Sequence, residues 1–155
     1  MKIKKAPLLL KGFYVLSTDY KLIDSNDTKI DSVNVFEDYS IDFDFKTLKN
    51  KNDEQLLFVK ITVNDVEKSK LLPGYVIKVE AVSVFDFCKT KKLSVKQQRD
   101  FIYMSGLSIS INNLRAYIEN ITSYGPFGKF QLPAIDIAAL HKAKSDLSEK
   151  KKKKN

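Results

Sequence analysis

The hydrophobic positions of residues 8–87 follow the two-residue period of β-strands. In the clearest case, Ile41, Phe43 and Phe45 alternate with aspartates, so one face of a strand carries three large apolar side chains. Four strands are predicted, separated by clusters of turn-forming residues. They cover residues 8–23, 32–48, 56–63 and 75–87. The short connections between them favour an antiparallel sheet.

After residue 94 the hydrophobic period lengthens to that of an α-helix. Ser94 and Gln97 have the spacing of a capping box, which predicts a helix that begins near Val95. A Ser-Gly pair at 105–106 interrupts the pattern. Apolar side chains at helical steps then continue to residue 121, and the helix is predicted to end at Gly125-Pro126.

The segment after Pro126 is predicted to hold an extended loop and a short helix. Residues 127–133 cannot form a regular helix, because prolines flank the segment and a glycine lies within it. Asp136 has the position of an N-cap for a closing helix from Ile137 to about Lys144. The sequence therefore predicts an α+β fold, in which a four-stranded antiparallel sheet precedes a long helix, an extended Pro/Gly loop and a short C-terminal helix.

Length and composition predict one domain and a tail. The chain has 155 residues, of which 43% are hydrophobic and 30% are charged, as is usual for a globular domain. Residues 150–154 are five consecutive lysines, which repel one another. We therefore expect a single domain over residues 1–144 and a lysine-rich, disordered tail over residues 145–155.

The net charge of +8 lies in the two ends of the chain. Residues 6–141 contain 17 basic and 17 acidic side chains, so no basic face is expected on the folded body. Nucleic-acid binding would have to use the lysine-rich ends alone, and it is kept only as an alternative.

Candidate groups for catalysis are few. The chain has one histidine, His141, and one cysteine, Cys88, and it lacks a cluster of metal ligands or a phosphate-binding glycine loop. Asp42 and Asp44 are most simply explained as the solvated side of a strand. We therefore expect no enzyme activity, no cofactor and no metal. A single cysteine and the lack of a membrane-length hydrophobic run predict a cytoplasmic protein without membrane insertion.

Several segments resemble the SecB family of secretion chaperones. Residues 113–122, NLRAYIENIT, resemble its helix motif, and residues 125–136, GPFGKFQLPAID, resemble its glycine, phenylalanine and proline loop. Residues 139–141, ALH, are similar to its closing alanine, leucine and tyrosine. Ala116 and Lys129 stand where the family motif has prolines, so the chain resembles a divergent member.

The resemblance implies a homotetramer, built as a dimer of dimers, that binds unfolded polypeptides in long apolar grooves. It also implies a role in protein export through the SecA ATPase. Family members of the export type offer an acidic sheet surface to SecA, whereas this body is neutral. A chaperone associated with a toxin–antitoxin pair, with the antitoxin as its partner, is the other interpretation.

Two groups of residues are candidates for these surfaces. The first group lies in strand margins and the loop and is predicted to bind clients: Phe36, Tyr39, Phe127, Phe130 and Leu132. The second group lies in the first strand and the long helix and is predicted to form the oligomer interface or the core: Phe13, Val15, Leu114, Tyr117, Ile118 and Ile121. Ordinary core packing is the alternative for the first group as well.

The predicted function is that of an ATP-independent chaperone, or holdase, for non-native polypeptides. Aromatic side chains provide a large contact area at a low cost in ordering, and an unfolded client offers no fixed pattern of hydrogen bonds. A structural or assembly protein with a fixed apolar interface is the first alternative, and a nucleic-acid-binding module is the second.

Overall fold

The computed structural model describes residues 5–24, 36–67, 70–89 and 92–152, with side chains described up to residue 146. The strands are β1 (Leu8–Ile23), β2 (Ile41–Lys49), β3 (Gln55–Val63) and β4 (Gly74–Phe87). The helices are α1 (Val95–Phe101), a π-helical turn (Ile102–Gly106), α2 (Leu107–Thr122) and α3 (Ile137–Lys152). An irregular loop joins α2 to α3. The predicted α+β class and its order of elements are confirmed.

The four strands form one antiparallel sheet in the order β1-β4-β3-β2. The first strand therefore pairs with the last, and β1 and β2 are the two edges. The edges differ, because β1 has irregularities between Leu10 and Gly12 and between Val15 and Ser17. β2 pairs with β3 in continuous register from Ile41↔Val63 onwards.

Three of the four predicted strands agree with the structure to within one residue at each end. The exception is the second, which was predicted over residues 32–48. The described strand begins at Ile41. Residues 25–35, which include the start of the predicted strand, lie outside the described residues.

The helices pack on one face of the sheet because α2 carries a buried stripe that includes Leu107, Leu114 and Ile118. Close approach to β4 needs small residues: the hydroxyl oxygens of Ser83 and Ser110 lie 2.6 Å apart. At the start of the long helix the capping box is confirmed, since the Gln97 amide donates to Ser94 Oγ at 3.2 Å and Gln97 Oε1 accepts from the Ser94 amide.

The closing helix α3 begins where it was predicted. The Ala139 amide donates to Asp136 Oδ1 at 3.0 Å, as expected for an N-cap. The helix continues to Lys152, past its predicted end near Lys144 and into the predicted tail. Residues 145–152 contain no glycine or proline and are largely good helix formers, so nothing local stops the helix. Within the described ranges, no helix is long and apolar enough to cross a membrane.

Candidate functional site

Six aromatic side chains from separate parts of the chain meet on the helix side of the sheet. We call them the aromatic cluster; they are Tyr20, Phe36, Tyr39, Tyr75, Phe127 and Phe130. Neighbouring ring centroids lie 5.4–5.7 Å apart, mostly in tilted or edge-to-face geometry. The structure thus brings together four of the five predicted client-binding residues, and it adds two tyrosines that the sequence analysis did not select.

The burial of this cluster corrects the expected exposure of three residues. Tyr39 is 7% exposed, Phe130 is 1% exposed and Leu132 is 3% exposed, so all three belong to the core. They are buried because the loop after α2 folds back over the sheet margin instead of standing away from it. Phe36 and Phe127 are half-buried and pack against the core from outside. Of the predicted client-binding group, only these two present surface in the single chain.

Hydrogen bonds hold the aromatic cluster in place. Tyr39 Oη donates to the carbonyl of Pro73 at 2.7 Å and accepts from the Tyr75 amide at 2.7 Å. Tyr75 Oη donates to the carbonyl of Gly128 at 2.8 Å and accepts from the Phe127 amide at 3.1 Å. The phenol of Tyr75 therefore connects β4 to the loop after α2, and the phenol of Tyr39 holds the start of β4 in place.

Arg115 and Gly125 allow the loop to lie against the cluster. The guanidinium of Arg115 donates to the carbonyl of Leu132 at 3.0 Å and to that of Pro133 at 3.2 Å. At Gly125 there is no room for a side chain, because a Cβ atom would clash with Tyr75 Oη. The sequence analysis predicted neither contact. Arg115 bonds across a loop that has no periodic pattern, and Gly125 lies against a tyrosine far away in the chain.

Burial in the aromatic cluster predicts an alkaline limit to stability. Burial, and then the neighbouring Tyr75, raise the pKa of Tyr20 from its ordinary value of 10.0 to about 12. The folded chain therefore binds more protons than the unfolded chain between these values, so its free energy of unfolding falls as pH rises through that window. We expect urea midpoints to decrease from pH 10 to pH 12, and Tyr20→Phe to lessen the decrease. An equal decrease in the variant would contradict the assignment; Tyr14→Phe, at an exposed tyrosine, is the control.

A second apolar surface lies between β1 and α2. Phe13, Val15, Tyr117 and Ile121, all predicted for the interface or core, are half-buried there. Thr18 Oγ1 and Tyr117 Oη lie 2.8 Å apart and join the two elements. We call these four half-buried side chains the β1–α2 surface. The remaining two predicted residues of this group, Leu114 and Ile118, are fully buried core residues.

The exposed apolar side chains are not the phenylalanines. None of the ten phenylalanines is exposed; each is buried or half-buried. Nine large hydrophobic side chains are exposed in the described part of the chain, and five of them belong to β1: Leu9, Leu10, Tyr14, Leu16 and Leu22. The exposed apolar side chains of the described residues are therefore supplied mainly by β1, an edge strand rich in leucine.

A cavity of about 800 Å³ opens beside the other edge strand, β2. We call it the β2 groove; its walls include Phe45, Thr47, Tyr103, Met104, His141 and Lys144. A smaller cavity of about 210 Å³ shares Thr47 and Tyr103 with it and extends it towards Gln55. The volume is within the range of sites that bind small molecules or peptide side chains. The sequence analysis named Phe45 as an apolar strand position and His141 as the single histidine, but it did not predict the groove, because its walls come from three elements whose packing has no local signal.

His141 and Cys88 lie in unrelated surroundings. One imidazole nitrogen of His141 lies 2.9 Å from the carbonyl oxygen of Tyr103, and its ring packs on those of Tyr103 and Phe45. The amide of Cys88 donates to the carbonyl of Pro7, beyond the end of β4. The observed contacts of His141 anchor α3 to the π-helical turn.

Comparison with known proteins gives a likeness in structure only. No family model and no curated protein matches the sequence. A SecB-like chaperone of Mycobacterium tuberculosis, Rv1957, solved in complex with a ChAD peptide from the Rv1956 HigA1 antitoxin, superposes with a TM-score of 0.60 at 9% identity, covering 84% of this chain and 91% of that one. A protein of unknown function from Streptococcus agalactiae superposes with a TM-score of 0.41 at 7% identity, covering 82% and 97%. With its four-stranded antiparallel sheet, long helix and C-terminal helix, the chain has the fold of a SecB-like chaperone.

Proposed function

We propose that this protein is an ATP-independent chaperone that binds non-native polypeptides. The observation that carries the proposal is the apolar surface of a chain with a SecB-like fold: an edge strand has five exposed large side chains, and a groove lies beside the opposite edge. Exposed clusters of large apolar side chains on a soluble protein commonly mark a binding site. The function needs no catalytic group, and we propose that the protein is not an enzyme.

We propose that the two surfaces have different partners. The β1–α2 surface lies on an edge strand that also carries exposed leucines, which suits a fixed contact between subunits of a homotetramer. The β2 groove opens at the sheet edge and is bordered by α3, which suits an exchangeable client. The structural neighbour's antitoxin peptide supports a polypeptide client, and we favour an antitoxin or another cytoplasmic client over SecA-dependent export.

Suppression of aggregation tests the chaperone function. Citrate synthase diluted from guanidinium chloride is expected to stay in solution when this protein is present, as measured by light scattering. Raising the salt from 50 to 200 mM is expected to leave the effect in place, because burial of apolar surface is only weakly sensitive to ionic strength. A steep loss of binding with salt would instead indicate a nucleic-acid-binding protein. Failure to hold the client at any salt would favour a structural protein and overturn the proposal.

A further inference from the structure

The two edges of the sheet are unequally protected against pairing with another strand. Edge strands present unpaired amides and carbonyls, and irregularities such as β-bulges are a common way to prevent their pairing. β1 has two such irregularities. β2 has none over nine residues, contains no proline, and is the edge that borders a groove.

The pairing of β2 with β3 determines which backbone groups face outward. The amide of Asn50 donates to the carbonyl of Glu54, and that of Asn64 donates to the carbonyl of Ser40. Antiparallel pairs alternate, so the even-numbered residues of β2 bond to β3. The odd-numbered residues, from Ile41 to Lys49, therefore direct their amides and carbonyls away from the sheet.

One of these outward amides is occupied from within the chain. The amide of Phe45 donates to Asp44 Oδ1 at 2.8 Å, and the ammonium of Lys144 pairs with the same carboxylate. In the described part of the chain, the amides of Phe43 and Thr47 have no such acceptor. Asp44 therefore covers the centre of a free edge and leaves a donor open on each side of it.

The β2 groove extends along the edge of β2 and is not confined to one face of that strand. Phe45, Lys46 and Thr47 all line it, although consecutive side chains of a strand point to opposite faces. A cavity lined by three consecutive strand residues must extend along the strand margin. Tyr103 and Met104 form the apolar wall opposite.

We infer that an extended segment of the client pairs with the free edge of β2 and becomes a fifth strand of the sheet. This inference rests on the proposed chaperone function and names the way in which the β2 groove holds its client. Backbone pairing suits clients of unrelated sequence, because every residue except proline offers the same amide and carbonyl. The client displaces Asp44 from the Phe45 amide, with its apolar side chains directed into the groove.

The charge of β2 on the face away from the groove indicates which side chains a bound segment should carry on that face. The exposed carboxylate of Asp42 lies on the outer face of β2, and no ion pair to it is seen in the described residues. Cross-strand neighbours of opposite charge stabilise an antiparallel pair. A basic side chain is therefore preferred at the position of the bound segment that lies opposite Asp42.

A proline at Thr47 tests the inference. It removes an outward amide without breaking a bond to β3, and proline is tolerated at such positions of edge strands. We expect Thr47→Pro to bind reduced, carboxymethylated α-lactalbumin about tenfold more weakly than Thr47→Val, which keeps the amide. Far-UV circular dichroism checks that both variants fold. Equal affinities of the two variants, with binding by the wild type intact, would overturn the edge pairing and leave the chaperone function standing.

Peptides give a measurement that does not depend on a variant. The probe is an acetylated nine-residue peptide of alternating valine and lysine, compared with two analogues that are N-methylated at one or the other set of alternate positions. Only the analogue whose methylated amides face β2 is expected to lose binding. When the unmethylated peptide binds, the amides of Phe43 and Thr47 are expected to gain protection from hydrogen exchange. Equal binding by both analogues would contradict the inference. If Thr47→Pro without client differs from the wild type in assembly mass, β2 pairs with a second copy of the chain, and the inference about the client is overturned. If the wild type binds no client at all, both the inference and the proposed chaperone function are overturned.

Discussion

Replacing Phe130 with alanine is expected to lower the free energy of unfolding by about 3–5 kcal/mol, as is typical of large-to-small changes at buried aromatic residues. The side chain is 1% exposed, and its ring lies 5.4 Å from that of Phe36 and 5.7 Å from that of Tyr39. No rearrangement of the loop can readily fill the space, since the Phe130 amide is bonded to Thr122 Oγ1 at 3.0 Å. Domains of this size have only about 5–15 kcal/mol of stability. The measurement is urea denaturation followed by circular dichroism.

Phe127 is the matched control, because it belongs to the same loop and the same aromatic cluster but is only half-buried. Its change to alanine removes less buried area and is expected to cost about 1–2 kcal/mol. Equal losses at the two positions would contradict the burial of Phe130 beneath the loop. If the Phe127 variant also binds client more weakly, the half-buried side of the cluster contributes to the client surface.

Replacing Ile121 with serine is expected to separate the proposed tetramer into smaller species while the chain remains folded. Ile121 belongs to the β1–α2 surface and is half-buried in the single chain, so its remaining exposed area is available to another subunit. A polar side chain at the centre of such a contact typically costs several kcal/mol in association. Mass from light scattering at several protein concentrations is the measurement, with circular dichroism as the test of folding.

Ile118 provides the comparison one helical turn earlier. It is fully buried within the described chain, so serine at this position is expected to unfold the chain and not only to dissociate it. Together the two variants distinguish a core position from an interface position on one helix. An Ile121→Ser protein with unchanged mass would show that the β1–α2 surface is not a subunit contact.

The local elements could be predicted because each has a pattern within a short stretch of sequence. Alternation of Ile41, Phe43 and Phe45 with aspartates indicated a strand, and Ser94 with Gln97 indicated the start of a helix. The end of α3 could not be placed in this way, because lysine is both a good helix former and a mark of solvated tails. Composition directed attention to phenylalanines, none of which is exposed, whereas five of the nine exposed large hydrophobic side chains in the described part of the chain belong to β1.

What the sequence by itself determined is the set of strands and helices and the antiparallel class of the fold, since these follow from hydrophobic period, turn residues and caps. The tertiary structure alone decided that β1 pairs with β4, that Tyr39 and Phe130 are buried, and that the groove lies beside β2. These features depend on contacts between residues far apart in the chain, such as Tyr75 with Gly128. Periodicity records which face of an element is apolar, but it does not record which other element covers that face.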